Sequence, residues 1–92
     1  MISGWFAKEG LNMIDAKLIG GVIRQYRKEK KMSQEILSGL SGLDRTHYSK
    51  IERGLRSPTI GTLFRIAEAL KVPPHEIIET IEQEEKKQRA EE

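Results

Sequence analysis

Apolar residues recur at intervals of three and four along most of the chain. No stretch keeps the strict alternation of a half-buried strand, so the pattern predicts an all-α fold. From about Asp15 to Lys30, Leu18, Ile19, Val22, Ile23 and Tyr26 fall on one stripe, with Arg24, Arg27 and Lys28 beside it and Asp15 placed to cap the helix. Gly20 and Gly21 weaken that helix by roughly 1 kcal/mol each relative to alanine, which points to close backbone packing or a distortion there.

Two short helices follow, announced by the same local signal. Met32-Ser33 precedes Gln34-Glu35-Ile36-Leu37, and Leu43-Asp44 precedes Arg45-Thr46-His47-Tyr48. In each case a short polar residue can cap the helix while the apolar residue before it packs on the first turn. Gly42 is placed to take the left-handed conformation that ends the first of them, and Gly54 closes the second just after Arg53. Ser57-Pro58-Thr59 stops the chain and caps a fourth helix lined by Leu63, Ile66, Ala67 and Leu70. Val72-Pro73-Pro74 opens a fifth, with Ile77, Ile78 and Ile81 as its apolar face. Beyond Glu82 only Gln, Glu, Lys, Arg and Ala remain, so that stretch is expected as a frayed helical extension or a disordered tail.

These elements divide the chain into an N-terminal extension (1–14), one domain (15–81) containing a helix pair at 34–53, and a charged C-terminal tail (82–92). A length of 92 residues supports one modest core. The N-terminal stretch holds Trp5 and Phe6, but Gly4, Lys8, Glu9 and Gly10 interrupt any apolar run of the signal-peptide kind, and Met13 is a second candidate start. No stretch approaches the roughly 20 apolar residues of a membrane span. The lack of cysteine removes disulfides and thiolate zinc sites and fits a reducing, cytoplasmic setting.

The net charge of +2 conceals a segregation. Residues 16–72 carry twelve Lys or Arg against five Asp or Glu, whereas residues 73–92 carry three against seven. A basic body with an acidic end fits either a polyanion partner, whose counterions Lys and Arg displace, or an ordinary solvated surface. The third helix decides more. Tyr48 and Ile51 lie three apart and share an inward face, which turns Arg45, Thr46, Ser49 and Lys50 outward. Arginine and lysine so placed reach the O6 and N7 acceptors of guanine in a major groove, and threonine reaches a base or a thymine methyl.

Ile23-Arg24 through Arg27-Lys28, Met32-Ser33-Gln34-Glu35, Ser49-Lys50-Ile51-Glu52-Arg53-Gly54, Pro58-Thr59 and Leu63 through Ala69-Leu70 occur in this order. In that arrangement the chain resembles the lambda-repressor-like Cro/cI (XRE) helix-turn-helix regulators from about Ile19 to Ile78. The resemblance implies a five-helix DNA-binding domain whose helices 2 and 3 form the DNA-reading unit. Arg45, Thr46 and Lys50 match the family's base-contacting positions, with His47 next. Gln34 matches a glutamine that contacts the DNA backbone and braces the reading helix. The resemblance also implies a structural ion pair of Arg27 with Glu52, where the residues alone equally allow both to be exposed. Arg53 and Arg56 flank Gly54 where they can clamp phosphates, and Ser33, Ser49 and Ser57 can add uncharged phosphate contacts. Ser38 and Ser41 stand where the family usually has alanine, and Tyr48 replaces a smaller aliphatic, so its hydroxyl needs a partner.

Other chemistry fares worse. His47 and His75 have no spaced ligand partners, which argues against a metal, and Ser33, Ser49 and Thr59 belong to no catalytic set, which argues against an enzyme. No cofactor or small-molecule ligand is implied. One reading helix covers only a few base pairs, so a homodimer on double-stranded DNA is expected, with Leu70, Val72, Ile78 and Ile81 as its interface or, equally, as ordinary core. The competing reading is a protein-interaction module or antitoxin built on the same fold.

Overall fold

A computed structural model describes residues 14–91, so the expectations for residues 1–12 and Met13 lie outside the described part. Five helices follow one another: α1 (Ala16–Glu29), α2 (Gln34–Ser41), α3 (Arg45–Glu52), α4 (Ile60–Leu70) and α5 (Pro74–Glu91). There is no strand among the described residues. Four helix starts are fixed by side-chain caps: Asp15 accepts from the Lys17 amide, Ser33 from Ile36, Asp44 from Thr46 and His47, and Thr59 from Thr62. Each cap satisfies an amide that the first helical turn cannot pair internally. Gly42 ends α2 at φ +70° and Gly54 follows α3 at φ +79°, both in the left-handed region where glycine carries no Cβ penalty.

The core is one cluster drawn from every helix: Val22 and Ile23, Leu37, Tyr48 and Ile51, Leu63, Ile66, Ala67 and Leu70, and Ile77 with Ile81. Helix α1 sits between α3 and α5, while α2 packs on both α3 and α4. Ser38 and Ser41 are buried as small residues of α2. Their hydroxyls donate to the carbonyls of Glu35 (3.1 Å) and Leu37 (2.7 Å), so neither leaves a buried polar group unpaired.

The charged stretch after Glu82 continues α5 as helix to Glu91. Good helix formers and the exposed pairs Glu82 with Lys86 (3.7 Å) and Glu84 with Lys87 (3.3 Å) favour this, each pair by a few tenths of a kcal/mol.

The two adjacent glycines of α1 divide sharply. A Cβ on Gly20 would lie 2.2 Å from the Ile51 carbonyl oxygen and 2.6 Å from that of Glu52, so α1 rests its backbone on the end of α3. A Cβ on Gly21 would meet nothing within 4 Å. Gly21→Ala is therefore expected to stabilise the protein by about 0.5–1 kcal/mol through reduced unfolded-state entropy and better helix propensity. Gly20→Ala is expected to destabilise it by 1–3 kcal/mol, roughly, because the contact is backbone and cannot rotate away. Paired urea titrations of the two variants check both signs.

Candidate nucleic-acid interface

Helix α3 is short, and its orientation depends on what grips it from behind. Tyr48 and Ile51 are fully buried and Glu52 nearly so, which turns the opposite face of the helix outward. Arg45 and Thr46 are exposed on its first turn, and His47, Ser49 and Lys50 are half-buried along it. Past its end Arg53, Arg56 and Ser57 are exposed, in a turn held by the Leu55 amide donating to the Lys50 carbonyl (2.9 Å). Three cations of this set, Arg45, Arg53 and Arg56, thus project from one helix and the turn after it.

Behind α3 stands one buried carboxylate with partners from three helices. Arg27 of α1 donates from Nε to Glu52 Oε2 (2.6 Å) and from Nη2 to Oε1 (3.1 Å), a bidentate pair. Its remaining Nη1 donates to the Met32 carbonyl (2.8 Å) in the turn before α2. Gln34 of α2 donates from Nε2 to Glu52 Oε1 (2.9 Å). The Tyr48 hydroxyl, a turn back along α3, donates to Glu52 Oε2. Burial by itself pushes the Glu52 carboxyl upward, but the hydrogen bonds from Arg27, Tyr48 and Gln34 outweigh it and hold the group below the usual carboxylate value. Burial, then the hydrogen bond to Glu52, pushes the Tyr48 phenol up, so Tyr48 stays a donor. The hydrogen bond to Glu52, working against burial, raises Arg27 and keeps it charged.

The residues selected from the sequence therefore separate into groups. Arg45, Thr46, His47, Lys50 and Ser49 share α3, with Arg53, Arg56 and Ser57 following. Ser33 is exposed at the start of α2; its oxygen accepts from the Ile36 amide (3.0 Å), which leaves its hydroxyl hydrogen able to donate outward. Gln34 is half-buried with one amide hydrogen committed to Glu52, so it joins α2 to the end of α3 and keeps one donor for anything outside.

The residues weighed as dimer interface or ordinary core divide by exposure. Leu70 is 0% exposed and Ile81 6%, so both sit in this chain's own core, and Val72 packs against that core. Only Ile78, at 43%, presents much surface. More apolar surface is presented by Leu55 in the turn after α3, by Ile36 and Leu40 on α2, and by Ile60 and Phe64 on α4, all 53–66% exposed. The α2 pair and the α4 pair are each spaced i,i+4, and α2 packs directly on α4. The sequence signal for this face was the apolar pair 60 and 64, off the stripe of Leu63, Ile66, Ala67 and Leu70.

Residues 23–77 match the helix-turn-helix family model. The chain belongs to this family, the DNA-binding transcriptional regulators of Cro/cI (XRE) type. Among relatives of this regulator, the control protein C.MunI of Mycoplasma sp. is 38% identical over 74 residues, covering 78% of this chain and all of that one. The restriction-modification controller C.AhdI of Aeromonas hydrophila superposes with a TM-score of 0.67 at 37% identity, over 71% of this chain and 98% of that one. The controller C.Esp1396I, as a tetramer in complex with its natural 35-base-pair operator, superposes at 0.71 and 37% identity, over 79% and 96%. Among the described residues no helix of the regulator is long and apolar enough to cross a membrane. Nor, among them, do three or more His, Asp or Glu gather to hold a metal ion.

Proposed function

We propose that this regulator binds a pseudo-palindromic operator as a homodimer in the cytoplasm, each copy laying α3 in the major groove, and that it serves as a repressor or autoregulatory controller of its own promoter. One observation carries the reading: α3 is anchored by a buried network on one side and presents Arg45 and Thr46, with Lys50 behind them, on the other. Arg45, Thr46, His47 and Lys50 are assigned to base edges, and Ser33, Gln34, Ser49, Arg53, Arg56 and Ser57 to phosphates, which fix register without carrying sequence. Arg27 and Glu52 are assigned to the fold, because a carboxylate with all its partners satisfied inside the protein does not face the DNA. Support for an operator comes from C.Esp1396I, which is described as a tetramer on its operator.

The dimer is assigned to the exposed apolar face of α4 around Ile60 and Phe64, with Leu40 beside it, in place of the buried Leu70 and Ile81. A self-complementary patch of this kind suits a two-fold interface, and two reading helices about one DNA turn apart match two half-sites. Phe64→Asp is expected to leave the fold intact, since the side chain is 53% exposed, and to give a monomer in light scattering. Operator affinity should fall on the order of tenfold or more with it. A monomer mass for the parent protein, with and without DNA from upstream of its gene, would remove the dimer from the reading.

A further inference from the structure

Helices α1 and α5 leave a groove of about 730 Å³ between them, distinct from the DNA-reading face. Tyr26, late in α1, hydrogen-bonds Thr80 (2.8 Å) early in α5, so the helices run antiparallel, and the groove opens from there toward Lys17 and Gln88. Its floor is apolar: Leu18 is half-buried, Val22 is buried, and Gly21 between them supplies no side chain. The open space above Gly21 is the notch of the groove. Its rim is acidic at both ends, with Glu29 and Glu76 beside Tyr26, and Asp15 and Glu84 at the far end; Lys17 is the one basic residue lining it. Asp15 also caps α1, and Glu84 shares an exposed pair with Lys87 (3.3 Å), a contact weak enough to exchange.

We propose that this groove docks a basic amphipathic helix of a partner protein, its apolar side seated over Gly21 and its lysines or arginines set against the carboxylates at the two ends. Charge selects the class. Four carboxylates repel nucleic acid and anionic lipid, and they attract a cationic segment. Shape selects the form, because the groove follows the fourteen residues of α1, roughly 20 Å, which three to four turns of a docked helix would fill. The same helix α1 turns its Gly20 and Arg27 side to α3, so a partner in the groove and DNA on α3 do not compete. Operator-bound regulator would then display the groove outward, and this inference stands or falls separately from the operator reading.

The test is fluorescence anisotropy of a labelled amphipathic leucine-lysine peptide of about four turns with the full-length protein, beside a leucine-glutamate peptide of the same pattern. The lysine peptide should bind and the glutamate peptide should not. Gly21→Leu, whose Cβ meets no neighbour within 4 Å and whose longer side chain would occupy the notch, should weaken binding about tenfold or more while operator binding and helix content stay unchanged. Glu29→Lys with Glu76→Lys should do the same through charge. Four results would overturn the proposal. They are no binding of the lysine peptide, equal binding by Gly21→Leu, equal binding of the glutamate peptide, and binding only after residues 1–13 are removed. The last would assign the groove to the chain's own N-terminal segment.

Discussion

Glu52→Ala is expected to cost about 3–5 kcal/mol of folding stability, the largest effect of any single substitution considered. The carboxylate accepts two hydrogen bonds from Arg27, one from Gln34 and one from Tyr48. Removing it strands a guanidinium that is 11% exposed and a phenol that is fully buried, and stranded buried donors bear the full desolvation penalty. A domain of this size has about 5–15 kcal/mol in total, so urea denaturation should show a much earlier midpoint with an unchanged slope. Replacing the pair together, Arg27→Met with Glu52→Leu, should recover part of the loss, since the pair's value lies largely in not being broken. Acid gives the same network a signature. The folded Glu52 carboxyl titrates below its unfolded value, so its contribution is complete above the unfolded value and is lost as pH falls through the folded one. The parent should therefore lose more stability on acidification than Glu52→Gln, which has nothing to protonate there.

Arg45→Ala and Arg56→Ala should both weaken operator binding, in distinguishable ways. Arg45 sits exposed on the first turn of α3, the part of a reading helix that meets base edges. Its loss should cost roughly 1–3 kcal/mol on the operator and relax the preference at one base pair of each half-site, with little change on unrelated DNA. Arg56 lies in the turn beyond α3, and its loss should weaken operator and unrelated DNA alike. The slope of log affinity against log salt should fall by about one per half-site contacted. Competition titrations against a set of single-base operator changes, repeated at several salt concentrations, separate the two behaviours.

Much of the fold was legible because its signals are local. Asp15, Ser33, Asp44 and Thr59 act within three residues of themselves, and Gly42 needs only its own backbone angle. The paired glycines of α1 signalled a close approach but not which of them makes it, since that depends on where the Ile51 and Glu52 carbonyls arrive. Periodicity identified apolar faces but not what covers them. Leu70 and Ile81 suit an interface or the core equally by spacing and lie in the core, while Ile60 and Phe64, off the apolar stripe of α4, stand exposed. Gln34 shows the limit at the interface itself. The resemblance implied that it braces the reading helix, but not that the brace is one of its two amide hydrogens given to Glu52, eighteen residues on, where α2 and the end of α3 converge on the same carboxylate. The far end of α5 was undecided for a related reason, since its composition favours helix but holds little to bury.

Footprinting DNA upstream of the gene with the parent and an Arg45→Ala, Lys50→Ala variant side by side tests most directly whether α3 reads sequence. The parent should protect two half-sites with centres about 10 base pairs apart, and the variant should protect neither at a concentration where it still binds unrelated DNA. Protection of the same two half-sites by the variant, at the same concentration as the parent, would contradict the assignment of α3 as the reading helix.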